Sequence, residues 1–274
     1  MYGEAMHVTG LHTYAIKGCY RTDVAEATVE PWGFAGDRRF MIVDDDFRML
    51  TQRQEPGLVR IRPALCGREL TLRAAGHDDL VVDVAAGELV DTNVHSTSLQ
   101  GALVDEIADK WVSTVLARSA HLLWLDDPTR RHINPEYSHD TDRVSFADGY
   151  PMLLANTASL DVLNDWLSEA QSLEGPLPMT RFRPNIVMSG AAPWVEDEWT
   201  GGRIRVGDVV FRVPKPCDRC VVTTTDQDTG ERGHEPLRTL ARYRNVNQGL
   251  MFATNLIPDG IGTIRLGDEV AALD

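Results

Sequence analysis

Short runs in which apolar and polar residues alternate fill the first third of the chain. Successive side chains of a β-strand point to opposite faces, so this alternation predicts strands. The predicted strands are residues 6–16, 25–29, 40–43, 49–52, 59–61, 70–73 and 80–84. Turns rich in glycine, proline or aspartate separate them, and short strands at such spacing are typical of a barrel-like or sandwich sheet.

Helical spacing first occurs near residue 98. Apolar residues three or four positions apart predict a helix over residues 98–117, and a second helix follows Thr157, which can cap its N-terminus. The other predicted elements are strands at 122–125, 182–188 and 221–225, and Gly-Asp hairpins at 204–210 and 264–270. Few helices among many strands indicate an α+β, mainly β chain.

A polar loop at residues 126–142 separates the two halves of the chain. We place a domain boundary just before this loop. The division gives an N-terminal, barrel-like domain at residues 1–125 and a second β-rich domain at residues 126–274. A chain of 274 residues is long enough for two modest domains with ample core.

The composition argues against several classes of protein. The chain has 27 Lys and Arg against 41 Asp and Glu, a formal charge of −14. Nucleic-acid binding draws on clustered positive charge, so we expect no nucleic-acid partner. No run of about 18 apolar residues occurs, so we expect no membrane span. The N-terminus lacks the basic and apolar regions of a signal peptide, and we expect a cytoplasmic protein.

Two of the four cysteines, Cys217 and Cys220, are three positions apart and have Lys215 and Arg219 as cationic neighbours. Such neighbours favour the thiolate, the form that binds metals and attacks electrophiles. A structural zinc site would need two further ligands, of which His234 could supply one. A redox pair normally opens a helix, whereas a strand is predicted here. Two small buried residues are the third reading, and the residues alone leave all three open.

Several cations of this acidic chain lie beside a glycine, a proline or a predicted strand. They are Lys17, Arg38, Arg39, Arg181 and Arg183. Arginine offers a planar fork for phosphate or carboxylate, so the set predicts an anionic ligand. The spacing of Arg181 and Arg183 places them on one face of a predicted strand.

Eight blocks of the chain, taken together, resemble the MOSC domain family. They are residues 14–18, 36–40, 50–53, 146–151, 182–185, 217–226, 228–230 and 235–240. The first three resemble the β-barrel domain that precedes MOSC, and the others resemble MOSC itself. The layout is similar to that of the YcbX-like proteins and the mitochondrial amidoxime-reducing components. The resemblance implies an N-terminal β-barrel domain packed on a MOSC β-barrel with a few helices.

The resemblance also implies a molybdenum cofactor, in which a molybdopterin dithiolene holds Mo. In the family the second cysteine of the signature block is the protein ligand of the metal. It maps to Cys220, which is therefore the implied metal ligand and catalytic residue. The implied cofactor-binding residues are Lys17, Arg38, Gly149, Tyr150, Arg183, Asn185 and Arg219.

The implied activity is that of a molybdenum-dependent oxidoreductase that reduces small N-hydroxylated compounds, such as amidoximes, hydroxylamines and N-hydroxylated bases. The chain has no cysteine cluster for an iron–sulfur centre, so we expect a separate electron-donor protein of ferredoxin, flavin or cytochrome type. The alternative is a non-catalytic protein that carries the cofactor or relays sulfur.

Overall fold

The computed structural model describes residues 5–273. Over these residues the chain forms twenty β-strands and four α-helices, which confirms the prediction of a mainly β fold with few helices. The strands are β1 (His7–Thr13), β2 (Thr22–Val24), β3 (Glu26–Glu30), β4 (Gly33–Phe34), β5 (Phe40–Val43), β6 (Arg62–Cys66), β7 (Glu69–Arg73), β8 (Leu80–Asp83), β9 (Leu89–Val94), β10 (Thr97–Leu103), β11 (His121–Trp124), β12 (Met152–Asn156), β13 (Ile186–Ser189), β14 (Arg203–Val206), β15 (Val209–Arg212), β16 (Pro216–Asp218), β17 (Asn245–Val246), β18 (Gly249–Pro258), β19 (Gly262–Arg265) and β20 (Val270–Leu273). The helices are α1 (Glu106–Leu116), α2 (Thr157–Glu169), α3 (Val195–Glu198) and α4 (Leu237–Tyr243).

The largest sheet joins the start of the chain to its end. Its strands lie in the order β2-β1-β13-β12-β18-β15-β14-β20, and β16 and β17 both pair with β18. β12 and β13 are parallel, with Leu154 opposite Ile186, and α2 connects them. β1 runs antiparallel to β13, with Leu11 also opposite Ile186. Two strands from the first half of the chain, β1 and β2, are therefore part of a sheet built mostly from the second half.

Three smaller sheets complete the fold. Their strand orders are β5-β11-β10-β9, β19-β3-β4 and β6-β7-β8. β19, from near the end of the chain, pairs with β3, and Thr263 lies opposite Thr28. Each half of the chain therefore contributes strands to a sheet of the other half: β1 pairs with β13, and β19 pairs with β3.

Two large hydrophobic cores support these sheets. One core contains Val112 of α1 together with Ile42 and Leu122 of the four-stranded sheet. The other contains Leu154 and Phe211 of the largest sheet. No helix of the chain between residues 5 and 273 is both long enough and apolar enough to cross a membrane.

The predicted helix over residues 98–117 is wrong in its first half. Residues Thr97–Leu103 form β10, which pairs with β9, and α1 begins only after its cap, Asp105. Leu99 and Leu103 are four residues apart. A spacing of four places two side chains on the same face of a helix and also of a strand, so the pattern fits both.

Two of the predicted strands are 3-10 helices. Residues Pro56–Arg60 form one, in which the side chain of Glu55 caps the amide of Gly57. Residues Val221–Thr224 form the other, and there the Thr223 hydroxyl donates to the carbonyl of Cys220 at 2.9 Å. Such a local hydrogen bond competes with strand pairing, although threonine favours strands in general. The predicted strand at 49–52 is also wrong, because only an isolated bridge forms there.

The predicted strand over residues 182–188 begins late, since it is regular only from Ile186 onward. Residues Met179–Phe182 form a 3-10 helix, and Arg183 follows in the left-handed region with φ 55°. Arg183 closes this 3-10 turn, with its amide donating to the carbonyl of Thr180 at 3.2 Å, so the chain is not extended on either side of it. The predicted common strand face for Arg181 and Arg183 is therefore wrong.

Only one of the two predicted Gly-Asp hairpins is a hairpin. Residues 204–210 lie in β14 and β15, which pair with each other across the turn. The second turn, at Gly267 and Asp268, is also present, but β19 pairs with β3 and β20 pairs with β14. The turn chemistry is local, whereas the partner of each strand is set by the sheet that it joins.

Replacing Leu154 with Ala tests the core of the largest sheet. Leu154 is fully buried, so Leu154→Ala should lower the free energy of unfolding by about 2–5 kcal/mol in chemical denaturation. The matched control is Leu173→Ala, because Leu173 is fully exposed and its loss should change this energy by less than about 0.5 kcal/mol. Similar losses in the two variants would contradict the described core.

Candidate functional site

One cavity of about 300 Å³ contains all the site residues expected from the sequence. They are Lys17, Arg38, Gly149, Tyr150, Arg183, Asn185, Arg219 and Cys220. Both halves of the chain contribute to the lining. The structure therefore brings the set together, while the role of each residue stays a prediction.

The lining of the cavity is strongly cationic. Its Lys and Arg residues are Lys17, Arg38, Arg53, Arg183, Lys215 and Arg219, and its acidic residues are Asp148 and Asp218. The whole chain carries a formal charge of −14, so positive charge is concentrated here against the overall balance. A cleft lined mainly by one sign of charge focuses the field and attracts ions of the opposite sign. The cavity suits an anionic ligand.

Lys17 lies just after β1, where its amide donates to the carbonyl of Phe40 at 2.8 Å. Its ammonium group is buried in an ion pair with the carboxylate of Asp148, which also contacts His95 at 3.0 Å. Burial lowers the pKa of Lys17. Asp148 is exposed, and Lys17 and His95 together hold the pKa of its carboxyl well below its usual range.

Arg38 and Arg183 both contact the ring of Tyr14. Each guanidinium carbon lies 4.3 Å from the ring centroid, a cation–π distance. The Tyr14 hydroxyl donates to the carbonyl of Pro184 at 3.0 Å, and burial raises the pKa of Tyr14 to about 12. Burial lowers the pKa of Arg183 to about 10, which leaves the group charged at neutral pH. Tyr14 therefore supports two neighbouring cations that would otherwise repel each other.

The two arginines also share an uncommon backbone conformation. Arg38 has φ 46° and Arg183 has φ 55°, in the left-handed region that non-glycine residues rarely adopt. Such residues persist only where the surroundings hold them, and they are often found at functional sites. Here Arg183 donates to the side chain of Gln227 at 2.8 Å.

Asn185 is fully buried, lines the cavity and forms several hydrogen bonds there. Its Oδ1 accepts from Arg38 Nη1 at 2.9 Å and from the amide of Leu153 at 3.2 Å. Its Nδ2 donates to the carbonyl of His12 at 3.2 Å. With these bonds in place, the side chain links β1 to β13 and orients Arg38.

Arg131 organises the loop that carries Gly149 and Tyr150. Its buried guanidinium donates to the carbonyls of Ser145, Ala147 and Asp148. These bonds hold the loop, and the next two residues, Gly149 and Tyr150, line the cavity. No described residue accepts a hydrogen bond from the amide of either one. Free consecutive amides of this kind can bind an anion.

The two thiols of the signature block both line the cavity, and each accepts a hydrogen bond from an arginine. Arg219 Nη1 lies 2.8 Å from Cys217 Sγ, and Arg53 Nη2 lies 3.2 Å from Cys220 Sγ. Burial raises the pKa of Cys217, although Arg219 acts in the opposite direction. Cys220 is partly exposed and precedes the 3-10 helix Val221–Thr224.

These positions bear on the three readings of the cysteine pair. The reading as two small buried residues is wrong, because both thiols are only partly buried and both line the cavity. His234, the possible third zinc ligand, is not part of the lining. Between residues 5 and 273, no group of three or more His, Cys, Asp or Glu side chains is arranged to hold a metal ion. The other cysteines lie elsewhere, Cys19 buried and Cys66 exposed.

Two of the cations expected around an anionic ligand are structural instead. Arg39 donates to the carbonyl of Leu125 at 2.9 Å and lies outside the lining. Arg181 donates to the carbonyl of Thr224 at 2.7 Å and forms an ion pair with Asp226. Both fasten one chain segment to another.

Sequence reasoning assigned no role to several residues of the site. They are Tyr14, Gln52, Arg53, Arg131, Asp148 and Gln227. Gln52 and Gln227 are the clearest example, since each side-chain amide donates to the other at 3.1 Å. Tyr14, Gln52, Arg53 and Asp148 stood inside blocks that resembled the family, and this was the signal that could have found them.

The two segments of the chain match two protein-family descriptions. Residues 5–119 match the MOSC N-terminal beta barrel domain, and residues 141–271 match the MOSC domain. The chain therefore belongs to the MOSC family, in the class that carries the N-terminal barrel, and the resemblance found in the sequence is confirmed.

The relatives make the position within the family more specific. The chain is 34% identical to mitochondrial amidoxime-reducing component 1 of Mus musculus and 31% identical to that of Homo sapiens. Each match covers 97% of this chain and 82% of the relative. The chain is also 32% identical, over 84% of its length, to the molybdenum cofactor sulfurase of Anopheles gambiae, of which the match covers 31%.

The ion pair of Lys17 and Asp148 should make stability depend on pH in the acid range. Because the pKa of Asp148 is lower in the folded than in the unfolded state, the pair stabilises the fold above about pH 4 and this contribution is lost as the pH falls through the folded value. Asp148→Asn should therefore lower the melting temperature at neutral pH and flatten its fall on acidification.

The matched control is Asp140→Asn, since Asp140 is also exposed but its carboxylate forms no ion pair with a described residue. Thermal melts followed by circular dichroism over the acid range compare the two variants with the unchanged chain. The same pH profile in both variants would contradict a stabilising role for the pair.

Proposed function

We propose that this protein is a molybdenum-cofactor-dependent reductase of N-hydroxylated compounds, such as amidoximes, hydroxylamines and N-hydroxylated bases. One observation carries the proposal: a partly exposed thiol, Cys220, and six cationic side chains line the same cavity. The relatives named amidoxime-reducing components, similar over nearly the whole chain, support the same reaction.

The residues present fit such a cofactor. Its phosphate is an anion, which the lysine and arginine lining and the free amides of Gly149 and Tyr150 can bind. Arg219, which lines the cavity, has a buried Nε without a hydrogen-bond partner among the described residues, an unsatisfied donor beside the proposed site. A thiolate is a soft ligand, suited to a metal already held by sulfur.

Each residue then has a separate task. Lys17, Arg38, Arg183 and Arg219 would bind the anionic part of the cofactor, and Asn185 would orient Arg38. The Gly149–Tyr150 turn would supply backbone amides, and Cys220 would be the protein ligand of the metal. When bound, the cofactor supplies two-electron chemistry at an oxygen atom, which a protein side chain does not provide.

The electrons must come from another protein in this proposal. Reduction of one N–OH group to N–H consumes two electrons and two protons and releases water. The chain has four cysteines, and an iron–sulfur cluster normally takes four thiolates, which would leave none for the metal of the cofactor. We therefore propose a separate donor of ferredoxin, flavin or cytochrome type, and a cytoplasmic location in which all four thiols stay reduced.

A second candidate is a protein that binds the cofactor without turnover, as a carrier or in sulfur relay. The observation that favours it is the second thiol, Cys217, in the same cavity, together with the similarity to a molybdenum cofactor sulfurase. The two candidates differ in one assay. Protein from a host that makes the cofactor should contain stoichiometric Mo in both cases, but only the reductase should reduce benzamidoxime with a dye as electron donor.

The two cysteines should differ sharply when each is replaced. Cys220→Ala should abolish benzamidoxime reduction because it removes the proposed metal ligand, whereas Cys217→Ala should retain most of the activity. Metal analysis and the dye-coupled assay measure the two variants side by side. Equal losses in both would contradict a single-ligand site, and zinc in place of Mo would contradict both candidate functions.

Removing one cavity cation should loosen the cofactor. A hydrogen bond to a charged group contributes about 1.5–3 kcal/mol, so Arg183→Gln should speed release of the pterin roughly 10- to 100-fold. Release is followed by the fluorescence of the oxidised pterin. Arg203→Gln is the matched control, because Arg203 is exposed on β14 and lies outside the cavity. Equal release from the two variants would contradict the assignment of Arg183.

A further inference from the structure

Cys220 receives its hydrogen bond from the opposite half of the chain. Arg53 Nη2 lies 3.2 Å from Cys220 Sγ, and the two residues are 167 positions apart. Arg53 belongs to the loop between β5 and β6, and it lines the same cavity as the thiol. Neither the cysteine block nor the cation set expected from the sequence contains this arginine.

The backbone of this loop is fixed from several sides. The Arg53 amide donates to Thr51 Oγ1 at 3.1 Å, and the guanidinium of Arg232 donates to the carbonyls of Gln52 and Arg53. The Gln52 side chain, in turn, donates to the carbonyl of Gly18 at 2.6 Å. The guanidinium of Arg53 is therefore presented by a segment with few degrees of freedom of its own.

The neighbouring thiol provides an internal comparison. Cys217 receives its hydrogen bond from Arg219, which is two residues away in the same segment and also donates to the carbonyl of Phe182 at 2.7 Å. Each thiol thus has its own arginine. Of these two thiols, only Cys220 receives its hydrogen bond from an arginine in the N-terminal half of the chain, Arg53.

We propose that Arg53 is the positioning residue of Cys220: its guanidinium orients the sulfur in the cavity and offsets the negative charge of the ligating thiolate. This inference rests on the proposed function, because it assigns Arg53 a role toward the metal ligand. It also gives the N-terminal half a direct task at the metal site, beyond the cofactor contacts of Lys17 and Arg38.

The physical basis is the effect of an outer hydrogen bond on a metal ligand. Groups that hydrogen-bond to a ligand fix its orientation, and their loss typically weakens metal binding or activity by roughly 10- to 100-fold. A cationic donor also draws electron density from the sulfur, which raises the reduction potential of the bound metal. Without Arg53, the thiolate is free to rotate and donates more strongly to the metal.

The experiment compares Arg53→Gln and Arg53→Lys with the unchanged protein, all prepared in a cofactor-competent host. Arg53→Gln should release the pterin roughly 10- to 100-fold faster, shift the reduction potential of Mo to more negative values, and change its Mo(V) electron paramagnetic resonance spectrum. Arg53→Lys keeps the charge and should recover part of the potential shift. The control is Arg48→Gln, because Arg48 is exposed and lies outside the cavity.

A double-mutant cycle in cofactor-free protein tests the contact itself. If Arg53 and Cys220 interact, the melting-temperature losses of Arg53→Gln and Cys220→Ala should not add in the double variant, whereas those of Arg48→Gln and Cys220→Ala should add. Additive losses with Arg53→Gln would overturn the proposal. So would an unchanged potential and release rate in Arg53→Gln protein that contains Mo.

The two failures can be told apart. If the unchanged protein holds no Mo, the proposed function fails, and the cycle alone decides whether Arg53 positions the thiol. If the unchanged protein holds Mo and reduces benzamidoxime while Arg53→Gln behaves like Arg48→Gln, only the role of Arg53 fails.

Discussion

The antiparallel pairing of β1 with β13 is the contact from which the cavity takes its shape. It is fixed by main-chain bonds such as the one from the amide of His12 to the carbonyl of Asn185, 2.9 Å long, and by the Asn185 side chain that returns to His12. Lys17 follows β1, and Arg183 and Asn185 precede β13, so the pairing brings residues more than 160 positions apart into one lining. A shift of register by one residue would turn the side chains of β1 to the opposite face of the sheet and would displace Lys17 from Arg183 and Asn185.

A group of cations held so close together repels itself, and the fold contains specific compensation. The ring of Tyr14 contacts two guanidiniums, Asp37 forms a buried ion pair with Arg38, and Asp148 pairs with Lys17. Removing only one partner of a buried charged pair is strongly destabilising, because it leaves the other charge uncompensated. The acids and the tyrosine therefore support the site as much as the cations do.

The sequence allowed a good account of which residues meet and a poor account of how they are arranged. Cysteine spacing, cation placement and the family resemblance led to eight of the residues that line the cavity, because these signals are local in the chain. The hydrogen bond from Arg53 to Cys220 was not predictable, since no periodicity links two loops 167 positions apart. The misassigned elements have a similar origin: Leu99 and Leu103 fit two periods equally, and the turn at Gly267 does not determine where β20 pairs.

The position of β1 in the largest sheet has a consequence for how the protein is made. One edge of β1 pairs with β2 soon after both strands emerge from the ribosome, but its other neighbour, β13, lies about 170 residues downstream. At roughly 5–20 residues per second, translation leaves that edge without its native partner for about 10–35 s. Nascent chains of this protein therefore expose an open strand edge during most of their synthesis, an edge free to pair with other chains until β13 is made.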